Sequence, residues 1–159
     1  MRSLSCHIAA FTFLLVATTG SVEACTLPVV QYFAKGSHAL DERSQSALIT
    51  IVEWLQRNTK GLKEIKVVGH SDRTGSRRAR RAISLARAET IRDKLVSYGV
   101  PANLIVVQAL GDAAPAVATA DGVPEPDNRR TEIHIEMSDA WVAEQQSRPS
   151  PPVGTITTC

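Results

Sequence analysis

The residues best suited to chemistry lie in one short stretch, Gly69-His70-Ser71-Asp72-Arg73-Thr74-Gly75, and in the arginine-rich segment after it. An apolar run through Val67 and Val68 stops at Gly69, and the polar loop beyond offers one carboxylate, Asp72. The next segment supplies several arginines, Arg80 and Arg87 among them. A carboxylate can hold a cationic group, and a guanidinium can hold an anionic one through a planar fork. Each such charge-assisted bond contributes about 1.5–3 kcal/mol. The same residue types have plainer uses. Asp72 can cap a following helix, and Arg87 can face water, where charges contribute little.

Other chemistry finds less support. His70, Ser71 and Asp72 are hydrolase residue types, but neighbours on an extended strand point to opposite faces and cannot align as a triad. No G-x-S-x-G elbow occurs. His38, His70 and His134 are scattered, and Cys6, Cys25 and Cys159 lack zinc-ligand spacing. The chain therefore reads as no enzyme, with no metal and no cofactor. The run Arg77-Arg78-Ala79-Arg80-Arg81 suits a solvated helix face, and after that attraction to an anionic envelope polymer. Nucleic acid is not expected, because no aromatic residue stands nearby for stacking and the net charge is only +2.

The elements that must hold these residues follow from periodicity. Residues 27–33 predict a first strand. Asp41 caps a helix in which Leu48, Ile51, Val52 and Leu55 recur at helical spacing. Residues 65–68 predict a second strand. A second helix lies within 76–98, with the apolar stripe Ala88, Ile91, Leu95 and Tyr98, and Gly99 ends it. A third strand centres on residues 105–107, and a long Ala/Pro/Gly-rich loop spans 111–127. In the fourth strand Thr131, Ile133, Ile135 and Met137 alternate with Arg130, Glu132, His134 and Glu136, so one face is buried and the other solvated. The expected fold is α+β: a two-layer α/β sandwich in the order β-α-β-α-β-β, with a four-stranded mixed sheet and helices on one face.

Residues 1–24 read as a signal peptide, with Arg2 basic, residues 8–16 apolar and Val22-Glu23-Ala24 fitting the small-x-small cleavage rule. The apolar run is too short for a bilayer core of about 30 Å. Cys25 follows the cut, a position that invites N-terminal lipidation, although Glu23 fits a lipoprotein signal poorly. The domain is expected over 25–138. Residues 139–159 read as a flexible tail containing Pro149, Pro151 and Pro152.

Gly69-His70-Ser71-Asp72-Arg73-Thr74-Gly75 and Ser84-Leu85-Ala86-Arg87-Ala88 together resemble the G-H-T-D-x-x-G and S-x-x-R-A motifs of the OmpA-like C-terminal domain family. This is the peptidoglycan-binding module of outer-membrane protein A and of peptidoglycan-associated lipoproteins. Gly111-Asp112-Ala113-Ala114-Pro115 is similar to the family's G-E-x-x-P turn, and Asn128-Arg129-Arg130-Thr131-Glu132-Ile133 to its N-R-R-V-E-I strand start. The first-strand motif is degraded, with Ala34 and Lys35 in place of acidic or small polar residues. The resemblance implies non-covalent binding of the peptidoglycan stem peptide through its diaminopimelate, in an anchoring or tethering role. Asp72 would bind the ligand's ammonium and Arg87 its carboxylate. Asn128 and Arg129 are further candidates, whose plainer role is to close the long loop. Arg80 stands where the family carries Asn, and adds a charge that can reach a ligand carboxylate. The implied location is the periplasm, with the outer membrane reached through a lipid on Cys25. The alternative is a structural protein that keeps the fold with a drifted site and binds an envelope protein partner.

Export predicts a mature chain lacking residues 1–24, measurable as intact mass. Retention of Met1 would contradict it. The same spectrum reads acylation of Cys25, or, without it, a Cys25–Cys159 disulfide that disappears under reductant.

Overall fold

Thr131, Ile133 and Ile135 alternate with charged residues because their strand lies inside a sheet with helices on one side. Contrary to expectation, the other face is not solvated throughout. Val68, His70 and Arg130 at its loop end are buried, with Arg130 bonded to the loop carbonyl of Ala114. In the computed structural model, which describes residues 28–148, that sheet has four strands. They are β1 (Val29–Tyr32), β2 (Leu62–His70), β3 (Ile105–Gly111) and β4 (Arg130–Met137), in the order β1-β4-β2-β3. β2 and β3 run parallel, as a helical crossover requires, and β4 is antiparallel to both neighbours. The expected α+β mixed sheet is what forms. The expectations for residues 1–24, Cys25 and Cys159 lie outside the described residues.

Two helices supply the other layer: α1 (Glu42–Arg57) and α2 (Arg77–Ser97). Asp41 caps α1 as expected, accepting from the Ser44 N–H at 2.8 Å. Leu48, Val52 and Leu55 of α1 and Ala88, Ile91 and Leu95 of α2 meet Ile65, Val67, Ile105 and Ile133 of the sheet in one core. Lys66, Val106 and His134 alternate with these core positions and so face away from the helices. Gly99 ends α2 with φ +94°, a conformation that favours glycine.

Gly69 sets how closely α2 lies on β2. A Cβ there would overlap the Ser84 carbonyl and come within 3.3 Å of the Ala88 Cβ. Gly69, Ser84 and Ala88 are all small, so helix and strand backbones approach at this level. The approach brings the N-terminal half of α2 to the end of the sheet, next to the loop carrying Asp72.

A further expectation is corrected. Residues 139–159 do not read as tail throughout, because a third helix, α3 (Asp139–Ser147), follows β4 directly. Ser138 caps it, accepting from the Trp141 N–H at 3.4 Å, while its own N–H bonds the Gly61 carbonyl at 2.7 Å. Trp141 packs on Gly61, where a Cβ would collide with the indole, and meets Trp54 of α1 edge-on at 6.0 Å. One indole, rather than an apolar stripe, holds this helix, so periodicity could not reveal it.

Gly69→Ala should destabilise the domain by about 1–3 kcal/mol through overpacking. Thermal unfolding measures it, and an unchanged melting temperature would show that α2 can move away from β2 without cost.

Candidate ligand-binding site at the end of the sheet

The inward stripe of α2 changes character along its length. Ala88, Ile91 and Leu95 lie in the core, whereas Arg80, Ser84 and Arg87, also buried, continue the stripe towards the helix start. Counting back from Ile91 by four, three and four gives 87, 84 and 80, so one helix face changes from apolar to polar. The polar half lies over the last residues of β2 and β3, where Ser84 meets Gly69 and Gly111 and Arg87 meets the His70 carbonyl.

Arg87 is only 1% exposed. Its Nε donates to the Ser37 carbonyl at 2.9 Å, its Nη1 to the His70 carbonyl at 2.9 Å and its Nη2 to the Ala34 carbonyl at 3.4 Å. Its guanidinium carbon lies 5.3 Å from the centre of the Phe33 ring. Burial pushes its pKa down to about 10, against the opposing pull of Asp72. It remains a cation at neutral pH. The simpler alternative for Arg87, a side chain facing water, is thereby excluded, and so is a position on an open cleft.

Asp72 is 5% exposed. Its Oδ1 accepts from the Thr74 hydroxyl at 2.6 Å and the Thr74 N–H at 3.4 Å, and its Oδ2 lies 3.3 Å from Nη1 of Arg129. Burial pushes the carboxyl up, but hydrogen bonds from Thr74 and Arg129 outweigh it, and the pKa falls below its ordinary value. Asp72 does not cap α2. Ser76 does, accepting from the Ala79 N–H at 3.2 Å, after a turn in which Gly75 has φ +77°. Thr74 was not among the sequence candidates. The signal for it was present, since an Asp commonly bonds the backbone two residues on.

Arg129 joins the two. Its Nε donates to the Phe33 carbonyl at 3.2 Å, its Nη1 faces Asp72, and its side chain is 13% exposed. Asp72, Arg87 and Arg129 thus form one charge set at the end of β2, with the Phe33 ring against Arg87 and its carbonyl on Arg129.

The other two candidates serve the loop between β3 and β4. Asn128 is 0% exposed; its Oδ1 accepts from the Val117 N–H at 3.0 Å, and its Nδ2 donates to the Val117 carbonyl at 2.7 Å. That is the loop-closing role. Arg80 pairs with Asp112 at 2.8 Å and with Asp121. Its charge is committed to these two carboxylates rather than to open space. On the opposite sheet face His70 is buried beside Glu132, 3.5 Å away. Burial and then the nearby Arg130 push its pKa down, favouring the neutral ring. No group of three His, Cys, Asp or Glu side chains among the described residues could hold a metal ion.

Known proteins match this architecture. The peptidoglycan-associated lipoprotein of Brucella melitensis is 34% identical over 108 residues, covering 66% of this chain and 63% of that protein. The match thus spans somewhat less than two thirds of that relative. The crystal structure of the peptidoglycan-associated lipoprotein from Burkholderia pseudomallei superposes with a TM-score of 0.61 at 23% identity, over 67% of this chain and 89% of the other, and supports the fold. The cell wall anchor of the T6SS from Pseudomonas aeruginosa gives 0.58 at 25% identity, over 70% and 81%. Residues 32–129, more than half of the sequence, match the OmpA family, and the chain belongs to that family.

Proposed function

We propose that this chain binds the stem peptide of peptidoglycan without covalent chemistry, anchoring or tethering in the periplasm. The observation that supports the reading is the charge set at the end of β2. One buried, ionised carboxylate stands beside two guanidinium groups, which suits the ammonium and carboxylate of diaminopimelate. Asp72 would accept the ammonium. Arg129, the more accessible arginine, would meet the carboxylate directly. Arg87, whose donors already hold three carbonyls, would act as a fixed positive charge beneath it and share its remaining N–H groups. Relatives named as peptidoglycan-associated lipoproteins and a cell wall anchor support the same reading. No catalysis is part of the proposal. An acyl group on Cys25 would attach the domain to the outer membrane.

A second reading has one observation in its favour. Asp72 is already paired with Arg129 and Thr74, as expected of a drifted site in a fold kept for an envelope protein partner. Sedimentation with purified cell-wall sacculi separates the two readings: the first predicts retention on the wall, the second predicts none.

Asp72→Ala and Arg129→Ala should each weaken stem-peptide binding by about 1.5 kcal/mol or more, roughly tenfold, in calorimetry at low salt. Equal affinity of both variants and wild type would move the site elsewhere. Arg87→Ala is a less selective probe. It leaves buried carbonyls without donors and should also cost about 3 kcal/mol of stability.

Binding should also depend on pH with a definite sign. The ammonium needs Asp72 ionised, and its folded pKa lies below the ordinary 3.8. Affinity carried by Asp72 should persist from neutral pH through 3.8 and fall only as pH drops through the lower folded value. A carboxyl titration of Asp72 by NMR with its midpoint above 3.8 would contradict this.

A further inference from the structure

The loop from Asp112 to Asp127 crosses the end of β2, and two separate anchors hold it. Asn128 grips Val117 in the first half. A second anchor, made largely of charge, ties the loop's first residue and its middle to α2 and Arg73. Arg80 Nη1 meets Asp112 Oδ2 at 2.8 Å, and Arg80 Nη2 meets Asp121. Arg73 Nε lies 3.6 Å from the same Asp112 oxygen, and Arg73 Nη1 donates to the Thr119 carbonyl at 2.8 Å. The Arg73 carbonyl in turn accepts from the Gly122 N–H at 2.9 Å. Two arginines and two aspartates make a neutral cluster linking α2, the loop and Arg73. Arg73 is the residue next to Asp72, so what holds the loop also holds the backbone that presents the carboxylate.

We propose that Arg80, with Asp112 and Asp121, is a positioning group: an ionic clasp that fixes the loop as one wall of the Asp72 site and so sets how long a stem peptide stays bound. The inference rests on the peptidoglycan reading above. Arg80 makes no ligand contact in it and acts through the loop and Arg73. Arg80 is nearly buried while Asp121 is 72% exposed. The clasp can therefore release at its outer member without disturbing the core. Removing Asp121 leaves two cations sharing one carboxylate, which favours an open loop.

Asp121→Asn is the variant of choice, since an exposed side chain can change without loss of the fold. Hydrogen exchange of the unliganded domain should show the Gly122 amide exchanging about threefold to fivefold faster, the scale of one exposed ion pair. The Val117 amide, held by Asn128, should stay as protected as in wild type. About 0.5 M salt should speed Gly122 exchange more in wild type than in the variant, because the exposed Arg80–Asp121 pair is already gone there and only the less exposed Asp112 pairs remain to be screened. Dissociation of a diaminopimelate-containing stem peptide should be faster by a similar factor. Arg80→Asn should reproduce both effects, and Arg80→Lys should restore part of each.

Unchanged Gly122 exchange would overturn the clasp. Faster exchange with unchanged peptide release would overturn its role at the site, leaving a loop brace alone. A wild-type protein that does not bind the peptide at all would instead overturn the peptidoglycan reading, and the proposal would fall with it.

Discussion

The end of the sheet is organised by one buried cation. Arg87 has almost no exposure, and its donors reach carbonyls on the β1–α1 turn and the last residue of β2. A guanidinium out of water is costly unless its N–H groups are bonded and an opposite charge lies near. Here backbone oxygens meet the first need and Asp72 the second. Without Arg87 the Ala34, Ser37 and His70 carbonyls would face each other with no shared donor. The turn after β1, the end of β2 and the middle of α2 are therefore fixed together. Asp72 and Arg129 take their places around that junction.

Small residues make the junction possible. Gly69, Ser84 and Ala88 let α2 approach β2 closely. Ser84 Oγ also accepts from the Gly111 N–H at 3.0 Å, tying the end of β3 to the same helix turn. Close packing in one half of α2 thus sets side-chain positions in the other. The loop between β3 and β4 then closes over the end of the sheet under Asn128 and the charged cluster around Arg80. Built this way, the end of the sheet is charged and held by directed hydrogen bonds. That suits a polar ligand held by a few directed bonds.

Much of this was legible in the sequence because it rests on local signals. Alternation in β4, the Asp41 cap, the Gly99 stop and the stripe on α2 each report a periodicity or a single backbone requirement. The residues at the site were legible as types and spacing. Their roles were less so. Arginine usually marks the surface, so residue type alone argues against Arg87 turning inward. The stripe counted back from Ile91 would have said it. Arg80 finds its acids 32 and 41 residues away, a pairing that only the chain's path creates. Asn128 makes the loop-closing contacts with Val117 that were the plainer of its two expected roles. α3 escaped because a tryptophan on a glycine is a tertiary contact with no period.

The central claim is that Asp72 receives the ammonium of a zwitterionic ligand while the arginines beside it receive the carboxylate. A crystal structure of the domain with a diaminopimelate-containing stem peptide tests it most directly. The account predicts the ligand's ammonium within hydrogen-bond distance of the Asp72 carboxylate, and its carboxylate against Arg129 with Arg87 beneath. A peptide bound elsewhere on the domain, with the Asp72–Arg129 pair intact and untouched, would contradict it.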